Sequence, residues 1–299
     1  MDLSLERIEA SLGTIDPVFL NSPQFVSDGL SGALGREVLV KIETLNPIGS
    51  FKGRGTCVLA QQLDPSHTWV CSTAGNFGQG IAYAARRCGA MAHIFVAPDA
   101  PAGKVSRMQA LGARIEVSED PASAAREYAA GSDDRYLAVD GLDPAIAEGA
   151  GTIGIELAAA AQIDTAVIQL GDGALLTGVA RWLKSRGEVK VIGVCASGAP
   201  AMAESFAARR PISNPGTGTI AGALAITDPI PESFARILEL VDEVVMVDDD
   251  DIRAAMALVA DLVGVLVEPA GAAGVAAVSR HSRHLAGGRV AVLLTGAAA

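Results

Sequence analysis

The stretch NPIGSFKGRG, Asn46 to Gly55, decides the reading of this chain. It follows the apolar run VLVKIE (38–43) and sets one lysine, Lys52, between a glycine-serine turn and a glycine-arginine step. A solvated surface lysine needs no such frame. A lysine that must reach a buried partner does, and an amine held out of water is also a reactive one.

Outward from this stretch, short β-rich runs alternate with alanine-rich helical ones. VLVKIE, TWVCS (68–72), AHIFVA (92–97), ARIEV (113–117), TAVIQL (165–170), VKVIGVC (189–195), EVVMV (243–247) and RVAVLL (289–294) read as strands. Helical segments are expected after VLVKIE through Gln62, over 78–88 and near 103–111. Valine- and isoleucine-rich strands without polar alternation are buried on both faces, which predicts an α/β fold of two open, mostly parallel sheets covered by helices. DDDD (248–251) reads as a helix start, where acidic residues suit the helix dipole. The polar patch GSDDR (131–135) and the GLDP turn after it place a boundary near residue 145. The expected division is a large unit of 1–42 with 146–299 and a small one of 43–145.

Two more segments leave a strand through glycines and enter a helix: STAGNFGQG (72–80) and QLGDGALLTG (169–178). Open α/β sheets bind ligands at the carboxyl ends of their strands, and converging backbone N–H groups at a helix start favour an anion. Neither segment fits GxxxxGK[ST], nor the GxGxxG spacing of a dinucleotide site. Each taken singly is equally a tight strand–helix connection.

Bulk properties narrow the class. Half the 299 residues are hydrophobic but only 4% aromatic, so aliphatic side chains fill the core. A net charge of −11, from 23 basic and 34 acidic residues, repels nucleic acid and anionic membranes. MDLSLERIEA is unlike a signal peptide, and no run is long enough to span a bilayer. Cys57, Cys71, Cys88 and Cys195 are scattered, so they read as small buried residues of a cytoplasmic protein, with no metal site expected. His67, His93, His281 and His284 fall in no motif and read as surface or packing residues.

Taken in order, NPIGSFKGRG, TAGNFGQG, GDGAL, VEPAGAA (267–273) and LLTGA (293–297) resemble the pyridoxal-phosphate enzymes of fold type II, the tryptophan-synthase-β-like superfamily. The likeness spans nearly the whole chain and is closest to the serine/threonine dehydratase and serine racemase branch. Cysteine synthases more often carry aspartate where this chain has Gly53. The resemblance implies a pyridoxal 5′-phosphate cofactor joined to Lys52 as a Schiff base, with Phe51 beside its ring, Asn76 at its 3-hydroxyl and Thr295 at its ring nitrogen. Gly171, Asp172, Gly173, Ala174 and Leu175 match the phosphate cradle. Thr73, Ala74, Gly75 and Asn76 match the loop that holds the substrate carboxylate, and Thr73 stands at the second acid/base position. Glu268 is equally an active-site group or half of a local ion pair.

By this resemblance the protein is a homodimeric lyase that eliminates the β-substituent of an L-serine- or L-threonine-like amino acid, giving a 2-oxo acid and ammonia. The alternatives are β-replacement by an external nucleophile and a catalytically silent cofactor-binding regulator. Several positions depart from the pattern. Asp172 and Ala174 replace glycines, and a carboxylate facing a phosphate in a dry site is costly, so Asp172 is expected to turn outward. Phe77 replaces a histidine and Thr73 a serine, which puts racemisation in doubt. Cys195 and Ala196 replace a Glu-Pro pair whose glutamate helps hold a divalent cation. With Ala299 so soon after the ring-nitrogen motif, no regulatory domain is expected.

Overall fold

The structure, a computed structural model, describes residues 1–281 and 288–298; His284 lies outside the described residues. Among these residues ten strands form: β1 (Gln24–Val26), β2 (Glu37–Ile42), β3 (Thr68–Ser72), β4 (Met91–Val96), β5 (Arg114–Val117), β6 (Arg135–Leu137), β7 (Thr165–Gln169), β8 (Lys190–Ala196), β9 (Glu243–Val247) and β10 (Arg289–Leu294). They make a six-stranded sheet, β1-β2-β10-β7-β8-β9, and a four-stranded sheet, β5-β4-β3-β6. All pairings are parallel except β1 with β2. Every residue of β7 is buried, as are the last five of β2 and of β10. Helices cover both faces of such strands, which explains their unbroken apolar pattern.

The glycines around Lys52 serve close packing. A Cβ on Gly53 would stand 2.3 Å from the Phe19 ring, and one on Gly55 would stand 2.5 Å from the Ile146 carbonyl oxygen. The helix Lys52–Ala60 therefore lies directly against the helix Pro144–Ala160, whose own Gly149 leaves room for the Arg54 backbone. Arg54 is wholly buried. Its guanidinium donates to both oxygens of Glu43 at 2.9 Å and to Glu156 Oε1 at 2.7 Å, while Lys41 Nζ reaches Glu156 Oε2. Charges this deep persist only when paired. The network anchors the helix that begins with Lys52.

Asp248 caps the helix Asp249–Val263 in a reciprocal capping box with Asp251, as the aspartate run predicts. His93 is buried, stacked on Phe95 at 4.6 Å between ring centroids, and burial lowers its pKa. Cys57, Cys71 and Cys195 are buried, but Cys88 is exposed at the end of its helix. Among the described residues no helix is long and apolar enough to cross a membrane.

Candidate active site

The carboxyl ends of both sheets' parallel strands face one cavity of about 590 Å³. The loops after β3, β4 and β6 approach from the small sheet, and those after β7 and β10 from the large one. Its size suits a cofactor together with a small substrate.

Lys52 opens its helix and extends into this cavity. Its Nζ bonds Asp140 Oδ2 and lies 4.7 Å from the Phe51 ring centroid and 5.8 Å from that of Phe77. The lysine side chain is 16% exposed and that of Asp140 15%, so the ion pair is mostly withdrawn from the protein surface. Asp140 carries no local sequence mark. It arrives from the loop after β6, and its Oδ1 is buried without a partner.

The turn after β7 has the form of an anion cradle. Gly173 takes a left-handed φ of 98° and precedes the helix Ala174–Arg186, which has no side-chain cap. A Cβ on Gly171 would fall 2.4 Å from the Ala223 carbonyl oxygen, so the 220–226 segment closes over the turn. Asp172 does not turn away as the sequence predicts. The residue lines the cavity and also a neighbouring recess, both shared with Asp140. Burial, and then the nearby Asp140 carboxylate, push its pKa up to about 7, with Lys52 opposing them. The cost anticipated for a carboxylate here is met by partial neutralisation rather than by exposure.

Asn76 is the first residue of the helix Asn76–Cys88 rather than its cap. Its Nδ2 donates to Glu268 Oε1 at 2.8 Å, and its Oδ1 accepts from Gln79 at 3.0 Å. Lys104 Nζ donates to Glu268 Oε2 at 2.8 Å, so Glu268 is both an ion-pair partner and a lining residue of the cavity. Thr73 Oγ1 accepts from the Gly75 N–H at 3.0 Å and shapes the carboxylate-type loop of Thr73, Ala74 and Gly75. Thr295, 4% exposed, also lines the cavity, and its carbonyl accepts from the Phe51 N–H. The residues expected from sequence to meet cofactor or substrate thus line one cavity. Those it missed are Asp140, Lys104 and Gln169; the Gln169 amide donates to the carbonyls of Gly271 and Leu293, leaving Oε1 buried and unpartnered. At the end of β8, Cys195 and Ala196 are buried and supply no carboxylate.

An amine near two phenyl rings, a glycine turn at an uncapped helix start and a buried threonine, all lining one cavity, fit pyridoxal phosphate end to end. Over residues 15–296 the chain matches the family described as pyridoxal-phosphate dependent enzyme, and it belongs to that family. Its cofactor is pyridoxal phosphate. More particularly, it is similar to the L-threonine ammonia-lyase of Thermotoga maritima, at 32% identity over 98% of this chain and 75% of that one. It is 32% identical to the serine racemase of Arabidopsis thaliana over 90% of this chain and 83% of that one. Among solved structures, the threonine deaminase of T.th. superposes with a TM-score of 0.92 at 29% identity, covering 99% of this chain and 98% of that one. Maize serine racemase does so at 0.92 and 27%, covering 99% and 94%.

Proposed function

We propose that the protein catalyses β-elimination from an L-serine- or L-threonine-like amino acid, releasing a 2-oxo acid and ammonia. The observation that carries this reading is Lys52, whose amine lies near the Phe51 and Phe77 rings in a cavity that both glycine turns also line. Lys52 holds the cofactor; backbone N–H groups of Gly171, Asp172, Gly173, Ala174 and Leu175 receive its phosphate; Phe51, Asn76 and Thr295 meet its ring. When bound, pyridoxal phosphate supplies an electron sink for the charge left on the substrate α-carbon.

The chain's own groups do the rest. Thr73, Ala74, Gly75 and Asn76 orient the substrate carboxylate, and Lys52 Nζ takes the α-proton. The departing hydroxyl must gain a proton, because hydroxide leaves poorly. The relatives' names, which include threonine ammonia-lyase and threonine deaminase, support elimination. The serine racemase relatives favour a second reading in which Thr73 acts as the opposite-face acid/base.

The two separate sheets support the division into a 1–42 plus 146–299 cofactor unit and a 43–145 unit that closes over substrate. Homodimeric assembly and a cytoplasmic setting belong to the same proposal, and light scattering tests the first. The activity test is release of 2-oxo acid from serine and threonine without added nucleophile. Turnover that disappears in Lys52→Ala is expected. Consumption of an O-activated serine only when a thiol or amine is supplied would instead establish β-replacement.

A further inference from the structure

The turns bearing Asp140 and Asp172 are locked together. Gly141, at φ 81°, has no side chain, and a Cβ there would stand 2.7 Å from both Cβ and the carbonyl oxygen of Asp172. One helix, Pro231–Leu240, then pins both turns: Ser233 Oγ donates to the Asp172 carbonyl, and Arg236 donates to the carbonyls of Gly141 at 3.1 Å and Leu142 at 3.0 Å. Arg236 is itself paired with Asp2, so its charge is already matched. The turns that carry the two carboxylates are therefore held together by backbone contacts, and both residues line the same cavity and recess.

Among the described residues, the charged side chains lining the cavity are Asp140, Asp172, Glu268, Lys52 and Lys104. Lys104 is committed to Glu268. That leaves Lys52 alone against two carboxylates, and Asp140 Oδ1 lacks a hydrogen-bond donor even so. An amine engaged by the cofactor no longer serves Asp140 as a free ammonium, and a phosphate on the adjacent turn adds further negative charge. The pair also stands where the cavity meets a recess of about 260 Å³ lined by Thr73, Phe77 and Arg126. Arg126 is exposed and bonds Ser123, so it lies at the recess's outer side.

We propose that Asp140 and Asp172 select an amino acid whose β-substituent is a cation, an ammonium in the simplest case, over one bearing a neutral hydroxyl. This rests on the elimination site described above and names its substrate class. An ammonium supplies the N–H donors that Asp140 lacks, and it removes the need for an acid at the leaving group. The α-proton passes to Lys52 Nζ, the Cβ–N bond breaks with its electron pair on nitrogen, and neutral ammonia departs. Uptake of one water then gives the 2-oxo acid and a second ammonia.

L-serine and L-2,3-diaminopropionate differ only in the group in question. The holoenzyme is titrated with each, at a pH where the side-chain amine is protonated, by following the cofactor absorbance. Charge-assisted hydrogen bonds predict that the diamine binds roughly tenfold to a hundredfold more tightly. In Asp140→Asn and in Asp172→Gly, each first shown to keep its cofactor and its melting transition, the preference shrinks. Serine binding as tightly as the diamine, or a preference unchanged in both variants, overturns the proposal. Product analysis on the same samples tests the elimination reading separately: no 2-oxo acid from either compound sinks that reading, while the affinity ratio still decides charge selectivity.

Discussion

Asn76, at the start of one helix, and Glu268, the N-cap of another, are joined by a 2.8 Å hydrogen bond from Asn76 Nδ2 to Glu268 Oε1. Gly296 makes the contact possible, since a Cβ there would lie 2.3 Å from that carboxylate oxygen. With Lys104 on the other oxygen, Glu268 fixes the amide that is proposed to meet the cofactor ring.

Glu268→Ala frees both donors. A hydrogen bond to a charged group is worth about 1.5–3 kcal/mol, so cofactor affinity is expected to fall about tenfold or more. Equilibrium dialysis of the apoprotein measures it. An unchanged dissociation constant would show that Asn76 needs no such support.

Asp172 predicts a pH dependence of stability. Its folded pKa is raised to about 7 from 3.8, so between those values the unfolded chain ionises while the native carboxyl keeps its proton. The native state then binds more protons, and this group's contribution falls as pH rises through that window and levels off above about 7. Asp172→Asn should remove that part of the slope and raise the melting temperature of the apoprotein near pH 8. Parallel melting curves for the two proteins across the window would contradict the assignment.

Arg54→Met leaves Glu43 and Glu156 buried with a lost partner, although Lys41 still reaches Glu156. Breaking a buried pair from one side costs about 3–5 kcal/mol. Urea denaturation should show a loss of that order. A lysine at this position should recover little of it, because it cannot reproduce the forked contacts.

Much of this was legible because it is local. Most of the eight longer strands announce themselves as apolar runs, although RIEV of β5 alternates charged and apolar residues, and the two glycine turns directly follow β3 and β7. β1 and β6 were missed for a physical reason. Each spans three residues, too few for a pattern, and β6 follows a polar patch and is defined by its pairing with β3. Lys52, Asn76 and Thr295 sit inside motifs. Asp140 and Lys104 do not, and they reach the cavity only once strand order brings remote loops together; Gln169 ends β7 at the edge of a glycine motif, but nothing local marks its side chain as facing inward. The outward turn expected of Asp172 failed because Gly141 and Ser233, both distant in sequence, hold its turn against the loop of Asp140.

The central claim concerns which amine bears the cofactor, and two lysines line the cavity, Lys52 and Lys104. Borohydride reduction of the holoprotein followed by peptide mass mapping distinguishes them directly. The account predicts a single phosphopyridoxyl adduct on Lys52, absent from Lys52→Ala. An adduct on Lys104, or none on either, would contradict it.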